Sequence, residues 1–180
     1  MLKSLQSRLG ALFITFVLLV LTSVGATFWG VKTQQNDALI INLAGRQRML
    51  VQLMVRLAVG EQGGGNDTGR ILADAENTFD ETLSALANGG VTTYLPGSFV
   101  SIPGAKNTEI MGALSEVRQS WEGFRTSIDV IQSMAQSDTG YAEAVQDLEA
   151  QAAILVQQAD KVVRLYETDS TARLNVLRTI

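Results

Sequence analysis

Four residues in one stretch of the chain have the types and spacing to hold a small anion. Asn42, Gly45, Arg48 and Gln52 follow one another at steps of three, three and four, so on a helix they lie along one face. Arg48 offers a planar fork of donors, which suits a planar or tetrahedral oxyanion better than a lysine ammonium does. Gly45 has no side chain and lets another backbone or a small ligand approach closely. The same spacing also fits a solvated face, with Arg46, Arg48 and Arg56 in water and Gly45 serving as a packing contact.

Composition closes most other chemistry. The 180 residues include neither cysteine nor histidine, which removes thiolate and imidazole metal sites, Cys or His nucleophiles and any triad that needs an imidazole base. With no convergent acid–base pair either, the chain is expected not to be an enzyme, and no metal or cofactor is expected. A net charge of -4 and a pI near 4.8 argue against nucleic acid, whose binders carry a basic stripe that displaces counterions from phosphates. Asp74, Glu76, Asp80 and Glu81 crowd one segment, but their spacing puts Asp80 and Glu81 on different helix faces, as on a solvated surface. Gly63 to Gly65 are not followed by a Gly-Lys-Ser/Thr run and read as a turn, not a phosphate loop. Trp121, Phe124 and Tyr166 sit at helical spacing and read as core.

The elements that would position the four residues follow from periodicity. Between Lys3 and Arg8 on one side and Lys32 on the other, Leu9 to Val31 contains no charged residue. At about 1.5 Å per residue, such a run spans a hydrocarbon core of about 30 Å with some tilt. Trp29 suits an interfacial anchor, and the basic residues before the span place the N-terminus in the cytoplasm and the remainder outside. The alternative is a cleaved secretory signal, since Val24-Gly25-Ala26 gives the small residues of a cleavage site. The expected layout is a cytoplasmic N-terminus and transmembrane helix over 1–31 and an extracytoplasmic domain over 32–180, held in the inner (cytoplasmic) membrane.

Beyond the span, Leu39, Leu43, Leu50, Leu53 and Leu57 fall at steps of three and four, with Arg46 the one polar member of the stripe. Gly60 and the glycines after it end that helix. Ile71, Leu72, Ala75, Phe79, Leu83 and Leu86 predict a second helix from about Gly69 to Asn88, with Asp67 or Thr68 as its cap and Gly89 as an αL stop. Val91 to Gly104 reads as an ordered loop, with β-prone Thr92-Thr93-Tyr94 and the turn dipeptides Pro96-Gly97 and Pro103-Gly104. Ile110, Leu114, Val117, Trp121, Phe124, Ile128 and Ile131 predict a third helix to about Gln136. Val145, Leu148, Ala152, Leu155, Ala159, Val162, Leu165 and Tyr166 predict a fourth, capped by Ser137 or Asp138 and continuing through Leu174 and Leu177. The expected fold is therefore all-α: an N-terminal transmembrane helix continuing into an antiparallel up-down four-helix bundle. The chain stops at Arg178-Thr179-Ile180, where a second membrane helix would begin, which suggests a piece of a longer receptor; the alternative is a complete single-span protein.

The run Ile41-Asn42-Leu43-Ala44-Gly45-Arg46-Gln47-Arg48-Met49-Leu50, with Gln52 following, resembles the signature early in the sensor region of type IV pilus methyl-accepting chemotaxis transducers. It is also similar to the corresponding box of nitrate/nitrite sensor histidine kinases, in which an Asn-Leu-Ala-Gly run precedes an arginine three residues after the glycine. The resemblance implies a periplasmic four-helix sensor that dimerises and binds nitrate or nitrite between two copies of its first helix. Arg48 would clamp the anion and Gly45 would give close backbone approach, each from both subunits, with Asn42 supporting one turn earlier. Two facing guanidinium groups would repel when the site is empty, and one monoanion would relieve that repulsion. Where the transducer pattern reads Ser-Gln-Arg after Met-Leu, this chain has Val51-Gln52-Leu53, and Arg56 comes three residues later. That departure leaves two further possibilities, a different small anion or a dimerising spacer without a ligand. The output is read as a sensor histidine kinase, with a chemotaxis receptor as the alternative; any kinase activity would lie outside these residues.

Overall fold

The computed structural model describes residues 2–60, 66–95 and 97–178, with side chains described for all of these except 2–6, 26–35, 66, 174 and 176–178. The expectations placed on the side chains of Lys3, Ala26, Trp29, Val31, Lys32, Leu174 and Leu177, on the Gly63–Gly65 turn and on Pro96 lie outside the described residues. The chain divides into two compact units, Met1–Ala38 and Leu39–Ile180, and helix α1 (Leu2–Gly60) contributes residues to both.

In the first unit, Ser7–Gly25 is a 19-residue stretch of mean hydropathy 2.0, and none of it is buried. Leu9, Phe13, Phe16 and Leu21 are each more than half exposed, so this is not the core helix of a globular domain. Its length and apolarity fit a bilayer. Thr15 and Thr22 donate their hydroxyls to the carbonyls of Ala11 and Leu18 at 2.9 and 2.8 Å, which satisfies these polar groups within the helix, as an apolar surround requires.

The second unit is a bundle of the last part of α1 with α2 (Asn66–Asn88), α3 (Thr108–Ser133) and α4 (Tyr141–Arg178). Leu43, Val51 and Met54 of α1 pack with Phe79, Leu83 and Leu86 of α2, Leu114, Phe124 and Ile128 of α3, and Leu148 and Leu155 of α4 in one core. Each such side chain removed from water is worth about 1.5–3 kcal/mol. Trp121 lies between Phe79 and Phe124, with ring centroids at 4.3 and 6.0 Å, and belongs to that core.

Cross-helix pairs fix the up-down order. Arg125 meets Glu76 and Arg118 meets Asp80, so α3 runs against α2; Gln151 meets Ser127 and Lys161 meets Glu116, so α4 runs against α3. Tyr141 donates to the Val59 carbonyl at 3.4 Å while Arg48 meets Asp160, so α4 also runs against α1. The expected antiparallel four-helix bundle is present.

Residues 89–103 depart from the expected loop. They form an antiparallel hairpin of β1 (Gly89–Leu95) and β2 (Ser98–Pro103), with Thr92 opposite Val100 and an irregularity between Thr93 and Leu95. The β-prone run finds a ladder because neighbouring elements hold it. The Thr82 and Thr92 hydroxyls bond at 2.9 Å in the interior, and the Arg46 guanidinium donates to the carbonyls of Thr93 and Tyr94 at 3.1 and 2.7 Å. The polar residue in the α1 stripe thus pins the hairpin.

The last turn of α2 carries orphan carbonyls. That of Leu86 accepts from the Ala105 N–H at 2.9 Å and from the Tyr166 hydroxyl at 3.2 Å. Burial, with Asp169 adding to it, pushes the Tyr166 phenol up to about 12, so it stays a donor. Gly89 follows with φ +79, the left-handed stop expected there.

Helix boundaries shift in three places. α2 begins at Asn66, which puts Asp67 and Thr68 in its first turn and not at its cap. α3 ends at Ser133 because Met134 turns extended and its N–H returns to the Ile131 carbonyl. α4 begins at Tyr141 and Asp138 does not cap it. The Asp138 carboxylate accepts the Ala135 N–H at 2.7 Å and its carbonyl accepts the Tyr141 N–H at 3.1 Å, so it braces the connection instead. Ile71, expected in the core, is 41% exposed, since the core face of α2 runs through Leu72, Ala75 and Phe79.

Candidate functional site

Asn42, Gly45 and Arg48 do come together. They line an open groove of about 600 Å³ with Met49 on α1, Tyr94 and Leu95 on the hairpin, and Val163 and Glu167 on α4. The α1 face is built by helical spacing, since Leu43, Ala44 and Gln47 turn inward and leave Asn42, Gly45 and Arg48 outward. Gln47 is anchored by a bond from its amide to the Phe79 carbonyl at 3.1 Å, which sets the rotation of α1 against α2. Gln52 lies on a second groove, with Val55, Ala152 and Val156. Arg56 is exposed and lines neither groove.

Each site residue has a definite environment. Asn42 donates its amide N–H to the Tyr94 hydroxyl at 3.2 Å, so the hairpin holds it in place. The Arg48 side chain folds back to donate from Nε to the Gly45 carbonyl at 3.4 Å and reaches Asp160 on α4 at 2.5 Å through Nη1. Arg48 and Asp160 remain 44% and 32% exposed, so a solvent-borne ion can reach the pair. The guanidinium expected to face an identical charge when empty is therefore already neutralised within its own chain.

Gly45 has no packing reason to be glycine. Among the described residues a Cβ there would meet one neighbour, the Arg48 guanidinium at 3.6 Å, which is ordinary contact. Glycine in the middle of a helix costs about 0.5–1 kcal/mol relative to alanine. The fold bears that cost where, among the described residues, the nearby side-chain atoms belong to the groove.

Sequence reasoning found the α1 face and missed the other two walls. Tyr94 lay in a segment read as a loop, and Asp160 and Glu167 had no spacing signal, because they meet the groove from α4, far away in sequence from α1. Of the acidic residues crowded on α2, Asp74 pairs with Arg70, Glu76 with Arg125 and Asp80 with Arg118, while Glu81 accepts from the Thr93 hydroxyl at 3.4 Å. Burial raises the Glu76 carboxyl above its ordinary value, with Arg125 opposing this and Asp129 adding to it.

A family model described as type IV pili methyl-accepting chemotaxis transducer, N-terminal region, matches residues 29–148, two thirds of the 180-residue chain. The match contains the whole α1 face of the groove and the hairpin; Asp160, Val163 and Glu167 lie beyond it. No curated protein and no solved structure matches the chain.

Proposed function

The chain belongs to the family of type IV pili methyl-accepting chemotaxis transducer N-terminal regions, and from that premise we propose that it senses a small oxyanion, nitrate or nitrite, at Arg48 in the α1 groove. Membership makes it a membrane-anchored sensory region of signal transduction, of the chemotaxis-transducer type. The observation that carries the finer reading is the pairing of a sterically unnecessary glycine with a reachable arginine in one groove.

Two copies complete the site in this reading. Met49 and Leu95 rim the groove at 58% and 57% exposure, and a second copy laid against α1 would bury these apolar side chains. A two-fold axis then presents Arg48 and Gly45 from both subunits to one monoanion. The span lies in the inner membrane, with the N-terminus inside, where Lys3 and Arg8 favour it, and the bundle outside. Because α1 is one helix from Leu2 to Gly60, a small shift of the Arg48 segment has a continuous element to act through. The residues bind and relay and do no covalent chemistry. Of the two outputs considered, the matched family favours a chemotaxis receptor over a sensor kinase.

The test is thermal unfolding of the full chain in lipid nanodiscs with nitrate, nitrite or chloride. Ligand at about 100 times its Kd stabilises by about 2.7 kcal/mol, so nitrate or nitrite raises the melting temperature of the wild type and leaves Arg48→Ala unmoved. An equal shift in both proteins, or none in either, contradicts the proposal.

A further inference from the structure

The anion reading leaves Asp160 unexplained. It stands on α4, outside the matched region, and its carboxylate holds the guanidinium that the ligand would need. A carboxylate and nitrate offer an arginine fork the same thing, two coplanar oxygens sharing one negative charge. They are competitors for one donor set.

We propose that Asp160 is the resident anion of the Arg48 site: a tethered carboxylate that occupies the guanidinium when no ligand is bound and is exchanged for the ligand when one arrives. The proposal rests on the reading of Arg48 as the anion clamp. Three features support exchange over a permanent structural tie. Both partners are partly exposed, Arg48 opens onto the groove, and the Arg48 Nε bond to the Gly45 carbonyl is long at 3.4 Å, so the guanidinium is free to re-aim. Glu167 lines the same groove, and a second carboxylate near the exchange point disfavours dianions such as sulfate relative to a monoanion.

Exchange has two consequences. The apparent affinity is set by the fraction of protein in which Asp160 has let go, since a ligand binds only the competent state. Binding also cuts the ion pair that joins α1 to α4 at this level, so ligand occupancy is read as a loosened contact between the first and last helices. An empty receptor keeps the two helices tied.

The experiment is calorimetric titration of nitrate, with chloride and sulfate as controls, into the full chain in nanodiscs. Wild type is compared with Asp160→Asn, Arg48→Ala and Glu116→Gln. Glu116→Gln is the matched control, because it also removes one negative charge and one exposed ion pair to α4, that with Lys161, but away from the groove. An exposed pair is weak, so Asp160→Asn is expected to bind nitrate roughly 1.5- to fivefold more tightly than wild type, with Glu116→Gln equal to wild type. If nitrate binds wild type and fails to bind Arg48→Ala, while Asp160→Asn binds equally or more weakly, the exchange is overturned and the anion site survives. If no variant binds nitrate, the anion reading and the exchange fall together. Asp160→Ser repeats the comparison if the asparagine variant melts early.

Discussion

Gly45 and Glu76 are two residues at which local cost and purpose separate. If Gly45 is kept for access to the groove, Gly45→Ala should stabilise the fold by about 0.5–1 kcal/mol while weakening nitrate binding. Denaturant melts and titrations of the same protein check both signs at once; lower stability in the alanine variant would mean that the packing requires glycine. Glu76 is protonated more readily in the fold than in the unfolded chain. Its contribution to stability is therefore full below its ordinary value of 4.5 and declines as pH rises through the folded value. Glu76→Gln, which imitates the protonated form, should melt higher than wild type at pH 7, with the gap closing toward pH 4. A lower melting temperature at pH 7 would show that the Arg125 attraction outweighs burial.

Among the elements, the hairpin is the part whose presence most depends on distant residues. Its base closes where Gly89 and Gly104 meet: a Cβ on Gly104 would lie 2.5 Å from the Asn88 carbonyl carbon and 2.6 Å from the Gly89 nitrogen. Those are backbone atoms and cannot step aside. Gly104→Ala should therefore destabilise by about 1–3 kcal/mol, whereas Gly112→Ala, on α3 with open space around it, should be neutral or stabilising. Equal melting temperatures for the two variants would contradict this description of the base. The same hairpin shows what sequence could reveal and what it could not. Leu43 and Leu50 gave the inward face of α1 by spacing alone, and Asn88-Gly89 gave the end of α2 by its turn chemistry. Thr92-Thr93-Tyr94 announced β propensity, but a strand needs a partner and a surface. Val100 supplies the partner from just beyond the turn, while Thr82 and Arg46 supply the surface, and those last two contacts no local pattern encodes.

For the molecule as a whole, the groove is half written in one segment and half assembled by folding. Asn42, Gly45 and Arg48 were legible because one helix face carries them at successive turns. Asp160, which reaches Arg48 from 112 positions away, was not, since ion pairing between helices leaves no periodic trace. The chain carries a net charge of -4, so an anion is drawn to it by the local guanidinium and not by the field of the whole. A ligand held on a two-fold axis makes a numerical demand that a site within one protomer does not. Stoichiometry of nitrate binding to the full chain in nanodiscs, read from calorimetric titration, is therefore the most direct measurement. One nitrate per two chains, abolished by Arg48→Ala, is the predicted result; one nitrate per chain, or none up to millimolar concentration in folded protein, would contradict it.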